Sequence, residues 1–235
     1  MGPVTDEAEI ARIRGSYDRR RASESQWDAL DPAVYRPVQE KERAIVRLLA
    51  RQGLSPLGDK RLLEVGCGSG DDLLYMIRLG FDPDNVVGCE LMGHRAAAAR
   101  HRLPRGTEVA EGDAATLEFP SGTFDVVMQS TVFTSLLDCT YQKRLADRMW
   151  DLIRPGGGVL WFDFIYNNPR NPDVRGVPLS RVRQLFPAGR VEHRRLGLAP
   201  PIARRVTAVR PALYEAVNLV PALRTHVLCW IAKSR

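Results

Sequence analysis

Between residues 61 and 164, short apolar runs alternate with segments of helical spacing, and no other feature constrains the fold as tightly. Residues 61–65 predict a buried strand, and 73–79 a helix. Residues 86–89 and 108–110 predict a second and a third strand, with a helix over 92–102 between them. Residues 124–129 predict a fourth strand. A helix over 141–153 then stops at Pro155 and three glycines, and 158–164 predict a fifth strand. Such alternation predicts a doubly wound α/β fold, a parallel sheet with helices on both faces.

The flanks are less regular. Upstream, the apolar spacing predicts helices over 10–17 and 39–50, the second carrying Ile45, Leu48 and Leu49 on one face. Downstream, 179–186 predict a short helix, and 190–198 and 225–232 two more strands. Between those strands Ile202, Val206, Val209, Leu213, Val217 and Val220 recur every three or four residues, as one face of a helix bent or broken at Pro211.

The sequence Glu64-Val65-Gly66-Cys67-Gly68-Ser69-Gly70 follows the first strand and opens a helix. Its glycines permit a sharp turn and close approach of a ligand. The dinucleotide fingerprint GxGxxG would put its third glycine where Asp71 stands, and the lysine of a P-loop is missing. Glu64 would repel a pyrophosphate but suits an ammonium group. Glu90 ends the second strand, where a carboxylate can accept hydrogen bonds from both hydroxyls of a ribose. Asp113 follows the third strand, where it can accept from an exocyclic amine. Three acids at three strand ends around one glycine loop describe a cationic adenosine ligand without phosphates.

LEVGCGSG, the Glu90 strand end, EGDA, FDVVMQS and LIRPGG resemble the successive motifs of class I S-adenosylmethionine-dependent methyltransferases, over roughly residues 61–164. The resemblance implies a mostly parallel seven-stranded sheet with its last strand antiparallel, and S-adenosyl-L-methionine as cofactor. It implies that Glu64, Gly66, Gly68 and Gly70 line the methionine portion, and that Glu90 holds the ribose with Leu91 or Met92 on the adenine. Asp113 and Ala114 would flank the base, and Gln129 and Ser130 would lie near the sulfonium. By the same resemblance residues 1–52 form a helical lid segment, which would order on cofactor binding. Residues 53–235 form the cofactor domain, with a helical cap inserted at about 199–224.

The acceptor would meet the carboxyl ends of the fourth and fifth strands. Phe133, Tyr166, Asn167, Asn168 and Arg170 are the candidate contacts there. The polar run DFIYNNPRNPDVRG reads either as a hydrogen-bonding wall or as a surface loop with Asx turns. If the last strand is antiparallel, its start puts His226 on this edge as first candidate for a general base, with Asp163 second. The strings QSTVFTSLLD, LAPPIARR and LRTH are also similar to bacterial methyltransferases found near sugar, cell-surface polysaccharide or natural-product genes. That implies transfer to a hydroxyl of a small molecule, sugar or glycan. An N-methyltransferase acting on an amine is the alternative, as is a non-catalytic adenosyl-binding protein at a membrane surface. The formal net charge of +6 fits nucleic acid, but Gln129-Ser130-Thr131-Val132 stands where base-amine methylases carry [DNS]PP[YF]. No metal-ligand spacing occurs, and Cys67, Cys89, Cys139 and Cys229 form no CxxC pair. With no signal-peptide pattern, the expected location is the cytoplasm.

Overall fold

A computed structural model describes residues 6–21, 28–169 and 171–234. Its strands are β1 (Leu62–Val65), β2 (Val86–Glu90), β3 (Glu108–Glu111), β4 (Phe124–Ser130), β5 (Ile153–Phe164), β6 (Arg190–Leu198) and β7 (Arg224–Ala232). They form one seven-stranded sheet in the order β3-β2-β1-β4-β5-β7-β6. β1 pairs in parallel with β2 and β4, while β7 runs antiparallel to both β5 and β6. The expected architecture is therefore the observed one.

Eight α-helices are described: α1 (Asp6–Arg21), α2 (Pro32–Arg51), α3 (Asp71–Leu79), α4 (Gly93–Arg102), α5 (Cys139–Leu152), α6 (Leu179–Leu185), α7 (Pro200–Val209) and α8 (Leu213–Val217). Alternation along the strands divides the core in two. Leu63, Val127, Trp161 and Cys229 face α5, α6 and Ile13 of α1. Leu62, Val126, Leu160 and Trp230 face α2, α3 and α4. Both faces are covered, which is why the central strands read as unbroken apolar runs.

Two elements depart from the sequence expectation. α2 begins well before the periodic stretch because the Asp31 carboxylate caps it, accepting from the Ala33 N–H at 2.8 Å, with Pro32 in the first turn. β5 begins at Ile153 instead of 158, and the register against β4 jumps between Phe124 and Val126 to absorb the extra residues. Its Gly156 and Gly157 exchange backbone hydrogen bonds with Lys233, so the proline and glycines form a bulged strand start, not a loop.

The 199–224 segment takes the broken alternative, two helices parted at an extended Arg210 just before Pro211. Ala203 and Tyr214 pack on Leu198, with Ile202, Val206 and Val217 partly buried around them. Val209 and Val220, expected on that inner face, lie outside it. Among the described residues no helix is long and apolar enough to cross a membrane.

Candidate active site

At the carboxyl end of β1 the chain turns on Gly66, Gly68 and Gly70, all with positive φ. The Gly66 and Cys67 N–H groups donate to the Cys89 carbonyl at the end of β2, which ties the loop to the neighbouring strand. A Cβ on Gly66 would stand 2.5 Å from Cγ2 of Val132 and would close the space above the loop. Glu90 is buried, and its two oxygens accept from the Gly68 N–H at 2.8 Å and the Met92 N–H at 2.9 Å. Each oxygen keeps a further lone pair. Asp113 accepts through Oδ1 from the Ala115 N–H and, at 2.5 Å, from the Tyr141 hydroxyl, which leaves Oδ2 outside both bonds.

These groups border one cleft, open at its mouth. Of the expected residues it brings together Gly66, Glu90, Leu91, Asp113, Ala114 and Ser130. Ile13 and Tyr17 of α1, Arg95 of α4, and Tyr141 and Leu145 of α5 complete its walls. Glu64 lies just behind the loop, and its Oε2 is buried without a hydrogen-bond partner. Burial drives its pKa well above the ordinary carboxylate value; Asp72 and Glu90 add to the rise and Lys41 opposes it. A cation held over the loop would relieve this carboxylate, so the donor set fits a ligand carrying both an adenosine and an ammonium group.

The β4 end is strained. Thr131, a β-branched residue on the cleft, has φ 59°, a conformation such residues rarely adopt. Its N–H donates to the Phe162 carbonyl at 2.8 Å. The Gln129 side chain does not point at the cleft. It braces the turn, accepting from the Val132 N–H at 3.0 Å and donating to the Phe162 carbonyl. Asp163 braces it too, accepting from the N–H groups of Thr134 and Phe164. Burial pushes its pKa up to about 7, against the pull of those hydrogen bonds.

The expected acceptor residues scatter. Phe133 is fully buried with its ring 4.5 Å from that of Trp161, so it packs the core beneath the turn. Asn167 accepts from the Gly176 N–H at 2.9 Å across the loop, and Asn171 accepts from the Asp173 N–H at 3.1 Å in an Asx turn. Tyr166 is half exposed, with the Arg195 guanidinium 3.4 Å from its hydroxyl, and Asn168 does not border the cleft. Arg170 lies outside the described residues. His226 stacks on Phe162 at 5.1 Å and meets Phe164 at 4.2 Å, across the sheet face from the cleft-lining α5. Burial, and then Lys41, push its pKa down to about 4.

Helix α1 carries contacts that no sequence pattern marked. The buried Glu9 accepts from the Leu137 N–H at 2.6 Å, the Asp138 N–H at 3.2 Å and the Arg12 guanidinium at 2.8 Å. Burial would raise its pKa, but these hydrogen bonds prevail and lower it. Arg12 also donates to the Ser135 carbonyl, and the Arg95 guanidinium sits 5.2 Å from the Tyr17 ring centre. Helix α2 packs instead on the opposite sheet face and does not border the cleft.

Residues 62–157 match the family model described as a methyltransferase domain. The chain is 32% identical over 163 residues to the phthiotriol/phenolphthiotriol dimycocerosates methyltransferase of Mycobacterium tuberculosis, covering 66% of this chain and 58% of that protein. It is 37% identical over 106 residues to the fatty-acid O-methyltransferase of Mycolicibacterium smegmatis, covering 44% of this chain and 37% of that protein. The chain thus spans less than two thirds of the length of these relatives. An S-adenosylmethionine-dependent methyltransferase structure from Mesorhizobium loti superposes with a TM-score of 0.58 at 19% identity, covering 79% of this chain and 96% of that one, a likeness of fold. The matched domain spans β1 to the start of β5, the strands whose ends frame the cleft, so residues 62–157 are a methyltransferase domain on the fold of the class I S-adenosylmethionine-dependent methyltransferases, with S-adenosylmethionine as cofactor.

Proposed function

We propose that this protein transfers a methyl group from S-adenosylmethionine to a hydroxyl oxygen of a lipid-like acceptor. The observation that carries the cofactor half is the convergence of the glycine loop, Glu90 and Asp113 on one cleft. When bound, the cofactor supplies an electrophilic methyl on a sulfonium. Glu90 uses its remaining lone pairs for the ribose hydroxyls, and Asp113 Oδ2 accepts from the adenine amine. Leu91 and Ala114 flank the base. Glu64, Gly68 and Gly70 would set the loop for the methionine portion, and Ser130, on a turn braced by Gln129, would border the cleft on the sulfonium side. The chain's task is then chiefly to hold two reactants in line, an effect that can supply much of the rate.

For the acceptor, the relatives named above methylate dimycocerosate lipids and fatty acids, by their names. The loop expected to form a polar wall for a sugar spends Asn167 on its own backbone. Both points favour an apolar molecule bearing a hydroxyl over a glycan or an amine. The test is incubation with methyl-labelled S-adenosylmethionine and a panel of long-chain diols, fatty acids, sugars and amines. Label is expected in the diols; label confined to sugars or amines would overturn this acceptor.

Two expectations concern the cofactor. Glu90→Gln should weaken S-adenosylmethionine binding by about 1.5–3 kcal/mol, the worth of hydrogen bonds to a charged group. Unchanged affinity by calorimetry would remove Glu90 from the ribose. On this reading α1 is the lid, latched through Glu9. Trypsin cleavage within α1 should slow when S-adenosylmethionine saturates the parent. In Glu9→Ala, which leaves the Leu137 and Asp138 N–H groups without their acceptor, the protection should be lost. Equal protection in both proteins would dismiss the latch.

A further inference from the structure

We propose that the α7–α8 cap seats on an anionic lipid bilayer and holds the cleft over the membrane that carries its acceptor. The inference rests on the lipid reading of the acceptor. The cap leaves the carboxyl end of β6 and returns through Pro221–Leu223 to the start of β7, so it rises from the sheet edge on which the cleft opens. Its inner side is anchored, with Tyr214 buried and its hydroxyl 3.0 Å from Glu40.

Its outer side is not. Val209 is 78% exposed, Leu219 75%, Val220 48% and Leu213 38%. Helix α8 is only five residues long. At 1.5 Å of rise per residue α8 is about 8 Å long, with Leu213 at its start and Leu219 and Val220 just past its end. Large aliphatic side chains gathered at one tip of a folded protein mark a contact surface.

Charge selects the occupant. Residues 200–224 hold four arginines (Arg204, Arg205, Arg210, Arg224) against a single acid, Glu215, and Glu215 is already paired with Arg36. Arg204, Arg205 and Arg210 are exposed beside the aliphatic tip. Apolar side chains that enter the acyl boundary, ringed by arginines at headgroup level, are the pattern of an interfacial contact with anionic lipid. A second copy of this chain would bring its own arginines against these.

The test is sedimentation of the full chain with vesicles of phosphatidylcholine alone, or of phosphatidylcholine and phosphatidylglycerol in equal parts, at low and high salt. Binding is expected to the mixed vesicles only and to weaken with salt. The doubly substituted Val209→Ser/Leu219→Ser and Arg204→Glu/Arg205→Glu proteins should each bind about tenfold more weakly or worse. Both should keep the parental melting temperature and the parental rate on a detergent-dispersed acceptor. The proposal is overturned if the parent stays in the supernatant with mixed vesicles, if either variant binds as the parent does, or if Val209→Ser/Leu219→Ser instead abolishes a dimer seen by light scattering. A parent that methylates dispersed lipid but does not sediment leaves the acceptor reading standing and removes this surface. One that sediments but methylates no hydroxyl does the reverse.

Discussion

Asp163→Asn is expected to gain about 4 kcal/mol of stability on the parent between pH 4 and pH 7, the equivalent of a three-unit shift. The sign follows from the direction of the shift. Burial raises the folded-state pKa of Asp163 from 3.8 to about 7, so over that interval the folded chain holds a proton that the unfolded chain has released. Rising pH therefore favours the unfolded state until the folded group also ionises. Asparagine does not titrate, and any fixed cost of placing its amide against the Thr134 and Phe164 N–H groups is independent of pH. His226 works in the opposite sense. Its folded pKa is depressed from 6.5 to about 4, so the unfolded chain binds the extra proton. The parent should then gain about 3 kcal/mol on His226→Gln between pH 4 and pH 6.5. Urea unfolding of the three proteins at several pH values measures both differences. A parent-minus-variant difference that stays level across the range would show that the burial of that side chain does not govern its proton. Because Asp163 braces the strained turn at Thr131, its titration near neutrality also places a pH-sensitive support directly beneath the cleft.

How much of this was legible follows from the range of the contacts. β1, β2 and β4 are buried on both faces, and burial on both faces writes a continuous apolar run into the sequence. Glu90 and Asp113 stood out because each follows a strand at the edge where the glycine loop lies, so chain order alone brought them near one another. Tyr141 reaches Asp113 across 28 positions, and Glu9 reaches Leu137 across 128. No local spacing encodes such pairs. Pro155 and its glycines are loop formers by propensity, and only pairing with Lys233, at the far end of the chain, makes them strand. The positive φ of Thr131 is held, against the preference of a β-branched residue, by hydrogen bonds that Gln129 and Thr131 donate to the Phe162 carbonyl and that Asp163 accepts from the Thr134 N–H. The helix period of 199–224 was read rightly, but its face was not: the inner face of α7 is Ala203 and Thr207, and Val209 is the last residue of α7, exposed where the helix ends at an extended Arg210.

His226→Ala is expected to lower kcat by about two to four orders of magnitude, the usual worth of a positioned base, with S-adenosylmethionine affinity intact. A neutral alcohol is a weak nucleophile, so its proton must leave before or during attack. On our reading His226 takes it. The residue stands at the start of β7, in register with Phe164 at the end of β5 and with Leu196 of β6, at the carboxyl edge of the sheet but outside the cleft lining, so the acceptor's hydroxyl has to reach it over that edge. Its Nδ1 lies 3.2 Å from Thr225 Oγ1, a contact that can fix the ring and leave Nε2 as the nitrogen free to take a proton. The two phenylalanines and Lys41 keep the imidazole neutral across the physiological range. The parent's rate should therefore rise through a group near pH 4 and not near the ordinary histidine value. Asp163 supplies the contrast, because it titrates near neutrality through the turn it braces. A limb of the pH–rate profile near pH 7 that survives in His226→Gln and vanishes in Asp163→Asn would belong to that turn. Near-normal kcat in His226→Ala would reduce His226 to a packing element between Phe162 and Phe164. The rate would then rest on positioning alone, and an acceptor already acidic enough to attack as an anion, such as a fatty-acid carboxylate, would replace the alcohol.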